Sequence, residues 1–408
     1  ADLTGDPMGA IVSLGGCSAS FVSPQGLVAT NHHCAYGTLQ FNSSEERNLL
    51  EDGFLAATFD DELPAAPGAR VYVTVAAGDV TGKVLAAIPD GANGSTRFAA
   101  IEDIEKQLIS RCEETPGHRC RVAAFYGGTM YRLYDQLEIR DVRLVYAPPS
   151  SIGKYGGDID NWMWPRHTGD FSFYRAYVGP DGQPADPSPE NVPFSPEHWL
   201  RIGTDGVAEG DFVMVVGYPG RTNRYRLASE VEDAVSWTYP QRVERRLSSL
   251  EIIEREIDGR PDAAIAYAAM NSYINNSLKN AQGMIAGFAK SDSIARKKAL
   301  ETELAAWIAA DPDRQARWGN ALADVETILN EKRADRALDQ ELSSLKYNQL
   351  ISASNTAYRL AREREKPDVE RRLGYQERDM RRIRARIARS ARSFDAQVDM
   401  ALLQHNLE

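Results

Sequence analysis

The chain has little cysteine, no long apolar run and no excess of basic charge. Its four cysteines in 408 residues include no pair two residues apart, which excludes a zinc ribbon or a Cys-x-x-Cys redox site. No apolar stretch approaches the roughly 20 residues that cross a bilayer. The net charge of −11 argues against a nucleic-acid partner, because phosphate binding needs a basic footprint. No basic start followed by a short apolar segment is visible, so no signal peptide is read. A Gly-x-Ser-Gly segment, which would carry a serine nucleophile and its oxyanion hole together, is also missing. Gly217 to Tyr225 has glycines but lacks the Lys-Ser/Thr ending of a phosphate loop, and it reads as a structural turn.

What is present is globular. Hydrophobic residues make up 43% and charged residues 26%, enough apolar side chain for a real core and too little charge for a disordered polyampholyte. The length suits two or three domains. Strands are expected at Ala10–Leu14, Ser18–Val22, Leu27–Thr30, Val71–Val75, Val122–Phe125, Met130–Tyr134, Leu137–Ile139, Val142–Tyr146, Phe171–Tyr177 and Phe212–Val216, a pattern of sandwich or barrel. A short helix and loop are expected over 45–65, and an amphipathic helix over 97–112. From about 225 the chain turns rich in Glu, Arg, Ala and Leu, with apolar positions recurring at three and four, as in Leu247, Leu250, Ile253 and Ile257. The division expected is therefore a β part over 1–224 and an α-helical part over 225–408. Arg378 to Arg392 holds seven arginines around Met380, Ile383, Ile387 and Ala391, which reads as a packed helix with a solvated basic face.

Ser23-Pro24-Gln25-Gly26 is a turn sequence between two strand runs. A hairpin folded about it brings Cys17 near Cys34, within disulfide reach. Cys112 and Cys120 enclose Pro116-Gly117, which favours a short closed loop. Two disulfides imply an oxidising compartment; four buried free thiols are the alternative.

Three segments could carry chemistry. In Thr30-Asn31-His32-His33-Cys34 a histidine at a strand end is held rigidly by the neighbouring cysteine, as a general base requires. Gly156 to Asp170 packs Asp158, Asp160, His167 and Asp170 with Trp162 and Trp164. A catalytic histidine needs a carboxylate to fix its tautomer, and Asp170, at the mouth of the strand Phe171–Tyr177, is best placed, with Asp158 and Asp160 in reserve. An EF-hand is a poor fit, because Met163 stands where the loop's glycine belongs. Asn275-Asn276-Ser277 lies on an expected helix, where an asparagine pair hints at a polar task.

Thr30 to Cys34 and the run from Gly156 to Phe171, with Gly15-Gly16-Cys17, Ser23-Pro24-Gln25-Gly26-Leu27-Val28, Asp211 to Tyr225 and Tyr375-Gln376-Glu377-Arg378-Asp379, resemble the serine dipeptidyl peptidases grouped with dipeptidyl peptidase 7, dipeptidyl peptidase 11 and dipeptidyl aminopeptidase BII. The resemblance runs along nearly the whole chain. It implies a mixed β and α fold, a chymotrypsin-like β-barrel catalytic domain with a large α-helical cap domain. It also implies a homodimer in the periplasm or at the surface of a Gram-negative bacterium. The activity implied is release of dipeptides from peptides with a free N-terminus, with no cofactor. By the same resemblance His33, rather than His32, is the general base and Asp170 its carboxylate. Asn161, Trp162 and Asn276 would line the site for the substrate's α-ammonium. The residue types suit this: an ammonium has three donors and no acceptor, so amide oxygens match it, and a tryptophan face adds cation–π attraction. The start at Ala1-Asp2-Leu3 and the end in a helix at Met400-Ala401-Leu402-Leu403 lead us to expect a chain without its leader and without the second barrel half. The serine is then expected beyond residue 408, and residues 1–408 alone are expected to be inactive.

Two rival readings stand beside this one. A metal-dependent hydrolase could draw ligands from His32, His33, His167, Asp158 and Asp160, although adjacent histidines on an extended chain diverge. A non-catalytic peptide-binding fragment is the other.

Overall fold

Short β-branched and aromatic runs between Gly- and Pro-containing turns become eleven strands among the described residues, which are 3–44, 46–220, 223 and 225–407 of a computed structural model. They are β1 (Ile11–Ser13), β2 (Ser18–Phe21), β3 (Leu27–Thr30), β4 (Phe54–Leu55), β5 (Leu63–Pro64), β6 (Val71–Asp79), β7 (His118–Phe125), β8 (Met130–Ile139), β9 (Asp141–Ala147), β10 (Ser172–Val178) and β11 (Val192–Pro193). All pairings are antiparallel, in the order β4-β9-β10-β3-β2-β1-β6-β8-β7, with β11 on β10 and β5 on β9. The chain is thus a large antiparallel sheet with many helices, the mixed β and α composition expected of it.

Contacts divide the chain into two units. The first holds the sheet and comprises residues 1–155, 168–220 and 357–392. Its core is made of strand residues facing inward, including the fully buried Val12, Phe21, Val28, Val71, Ile139 and Leu144. The helix Gly94–Cys112 packs Leu108 on Val80, Val84 and Tyr131. The helix Met380–Arg392 belongs to this unit; it buries Met380 and Ile383, and Arg381 reaches Asp186 at 2.7 Å. Just before it, Arg378 donates to the Cys120 carbonyl at 3.0 Å, and Arg119 pairs with Asp379. The Tyr375–Asp379 motif therefore ties this late segment to β7.

The second unit comprises residues 156–167, 221–356 and 393–408. Its core joins Ile252 and Ile253 of the helix Tyr239–Ile257, Tyr267 and Ile274 of the helix Pro261–Ala289, and Val398 and Leu402 of the helix Ala396–Leu407. Among the described residues no helix is long and apolar enough to cross a membrane.

Both cysteine pairs are disulfides, Cys17–Cys34 and Cys112–Cys120. The register Ser20↔Ala29 and Phe21↔Val28 is what the turn sequence implied. Two strand expectations change. Met130–Tyr134 and Leu137–Ile139 fuse into the single β8, because β6 and β7 flank it on both sides. Phe212–Val216 forms no strand: Phe212, Val213, Met214 and Val215 are exposed, and a continuous apolar run makes a strand only where neighbours cover both its faces. The following Gly217-Tyr218 is structural, as read. The Tyr218 amide donates to Ser18 Oγ at 2.7 Å and its hydroxyl lies 2.9 Å from Thr74 Oγ1. Arg221, Thr222 and Arg224 of that segment lie outside the described residues.

Candidate active site

His33 does not end a strand, as the sequence suggested. β3 stops at Thr30, and His33 sits in the first turn of the helix His32–Phe41. Asn31 is the N-cap by position, yet its side chain caps nothing. Its Nδ2 donates instead to the Asp170 carbonyl at 3.1 Å and to Asp170 Oδ2 at 3.3 Å. The capping acceptor comes from Asp170, whose Oδ1 takes the backbone N–H of His33 at 3.1 Å. A carboxylate there also meets the positive end of the helix dipole.

The same carboxylate holds the ring. His33 Nδ1 lies 2.9 Å from Asp170 Oδ2 and 3.2 Å from Oδ1. A carboxylate only accepts, so Nδ1 carries the proton and Nε2 keeps its lone pair. The Asp170 side chain is 16% exposed and that of His33 61%, so the ring is fixed on one edge and open on the other. Two features align the pair: β10 pairs with β3 at Ser172↔Thr30, and Ser172 Oγ donates to the Asn31 carbonyl at 2.9 Å. The Cys17–Cys34 disulfide anchors the residue after His33.

His32 faces the other way and is fully buried. Its ring lies edge-on to Tyr36, with centroids 5.3 Å apart, and against Gly153 of the short helix Ser150–Gly153. Burial pushes its pKa down, opposed by the Pro148 backbone and the Asp170 charge. The adjacent rings thus share no common face. Among the described residues, the group of three potential metal ligands that includes His33 adds only the sulfurs of Cys17 and Cys34, already joined to each other.

Asn161, Trp162 and Asn276 come together in the second unit. Asn276, on the helix Pro261–Ala289, accepts at Oδ1 from Asn161 Nδ2 at 3.0 Å and from Trp162 Nε1 at 3.0 Å. Its carbonyl takes a second, longer bond from Trp162 Nε1, at 3.2 Å. Trp162 has φ of 59°, a left-handed conformation that costs a bulky residue about 1–3 kcal/mol, and it stays 59% exposed. Asp160 sits in the same segment, folded over Gly156, and Asp158 precedes it; neither is in the unit that holds His33. The pairing of Asp170 with His33 is legible from the strand that follows Asp170. Its capping role, and the seat of His32 on Gly153, are not.

This chain covers only part of its relatives' length. The Asp/Glu-specific dipeptidyl-peptidase of Shewanella putrefaciens is 44% identical over 407 residues, 100% of this chain and 55% of that protein. Dipeptidyl-peptidase 7 of Capnocytophaga gingivalis is 36% identical over 325 residues, 79% of this chain and 45% of that protein. Among solved structures, Porphyromonas endodontalis DPP11 in complex with the dipeptide Arg-Glu matches with a TM-score of 0.80 at 32% identity, covering 98% of this chain and 58% of that one. The chain spans about half the length of the curated relatives it matches. The sequence profile of Peptidase S46 matches residues 1–408, and the chain belongs to that family.

Proposed function

We propose that this chain is part of a serine-type dipeptidyl aminopeptidase in which His33 is the general base and Asp170 orients it. The observation that carries the reading is the Asp170 carboxylate on His33 Nδ1 at 2.9 Å, with the opposite ring edge open. In the reaction, His33 Nε2 takes the proton of a serine hydroxyl as its oxygen attacks the substrate carbonyl. Asp170 stabilises the imidazolium that forms, and Nε2–H then protonates the departing amine. Residues 1–408 hold no Gly-x-Ser-Gly segment, so this reading draws the serine and its oxyanion hole from outside them. The sheet unit is then part of a chymotrypsin-like barrel.

The counting of two residues comes from the amine anchor. Asn161 spends its Nδ2 on Asn276 and keeps Oδ1 as the acceptor an ammonium needs. The exposed Trp162 ring adds a π face. A peptide held by its N-terminus presents its second peptide bond at a fixed distance, so the product is a dipeptide. The relatives' names support peptides as substrates, and the two disulfides support an oxidising location, periplasmic or at the cell surface. The working form is a homodimer. In the whole polypeptide, His33→Ala should remove nearly all turnover of dipeptidyl substrates; turnover like that of the parent protein would sink the assignment.

A further inference from the structure

The helical unit has a cleft of about 580 Å³ that the reaction above does not use. It lies among the helices Ala228–Asp233, Tyr239–Ile257, Pro261–Ala289 and Ala321–Ser344. Five cationic side chains line it against two carboxylates, in a protein whose net charge is −11. Two of the five are neutralised: Asp233 pairs with Arg336 and lies 3.5 Å from Arg333, which also meets Glu326 at 3.0 Å. The second lining carboxylate, Glu230, accepts from the Leu227 amide at 2.9 Å. Among the described residues, Arg226, Arg242 and Lys332 have no carboxylate partner. Cations gathered around one hollow repel one another, and an anion between them relieves that repulsion. The guanidinium of Arg336 is stacked on Trp237 and that of Arg242 lies over Tyr239, at 4.3 and 5.7 Å from the ring centroids, so both are held in place.

We propose that this cleft is a binding site for the carboxylates of an acidic peptide. Three unneutralised cations, on three separate stretches of chain, suit a ligand with several negative groups rather than one. The volume, on the scale of ordinary ligand pockets, exceeds what a single phosphate fills. A peptide is the class chosen because Asn280, in the cleft wall, lies one helical turn, about 6 Å, beyond Asn276 on the same face. That choice of class rests on the amine-anchor reading; the anion site does not.

The test is calorimetric titration of the 408-residue protein with tri-glutamate, tri-glutamine, N-acetylated tri-glutamate and inorganic phosphate. Tri-glutamate should bind about tenfold or more tightly than tri-glutamine, whether or not its amine is acetylated. Arg242→Gln and Lys332→Gln should each weaken it about tenfold, with unchanged circular dichroism. Equal binding of tri-glutamate and tri-glutamine, or full affinity in both variants, overturns the site. Phosphate binding as tightly as the peptide overturns the peptide assignment and leaves a small-anion site. An acetylated peptide that no longer binds at all overturns the cleft as the seat of affinity and points back to the amine anchor.

Discussion

Asp170 serves His33 twice, accepting its backbone N–H at 3.1 Å and its ring Nδ1 at 2.9 Å. One carboxylate therefore starts the helix and sets the tautomer of the residue in its first turn. Coupling the two roles ties the ring orientation to the fold: the acceptor that caps the first turn of the helix also holds the imidazole.

Gly153 is the floor under His32. A methyl group added there would lie 2.4 Å from His32 Cγ and Nδ1, with the ring fully buried and unable to swing out. Gly153→Ala should lower unfolding free energy by about 1–3 kcal/mol, as overpacking does. Urea denaturation with an unchanged midpoint would show that the seat is looser than this.

The buried His32 also makes a pH prediction. Its pKa is lowered in the folded protein, chiefly by burial. Below the ordinary histidine value the unfolded chain therefore takes up a proton that the folded one refuses. Stability contributed by the neutral ring is present above that value and is lost as pH falls through it toward the folded pKa. Unfolding free energy between about pH 5 and pH 7 should rise with pH, and His32→Asn should flatten the slope. An equal slope in the variant would place the titration elsewhere.

Asn276 gathers Asn161 and Trp162 through one amide oxygen. Asn276→Ala should free both and release Trp162 from its left-handed φ of 59°. In the whole polypeptide, KM for free-amine dipeptidyl substrates should rise about tenfold with kcat less affected, and the preference over N-acetylated substrates should shrink. An undiminished preference would remove Asn276 from the anchor.

The sequence carried much of this site because the relevant signals are local. The turn Ser23–Gly26 sets the β2–β3 register and so joins Cys17 to Cys34. The strand after Asp170 directs that carboxylate toward β3. Phe212–Val216 failed as a strand because pairing depends on a neighbour, which the apolar pattern of the segment itself cannot supply. Nor could sequence show that His33 sits in the first turn of a helix, since the acceptor of its backbone N–H comes from 137 residues away. Nothing local marks the cationic cleft either, because its charges lie on stretches of chain far apart in sequence.

The central claim, that Asp170 makes His33 a base, is tested most directly by Asp170→Asn in the whole polypeptide. The asparagine oxygen can still cap the backbone of His33, so the fold should persist, but its amide favours the wrong ring tautomer. Measured with a dipeptidyl substrate at neutral pH, kcat should fall about 10⁴-fold with unchanged circular dichroism. A kcat within about twofold of the parent enzyme would contradict the pairing as catalytic.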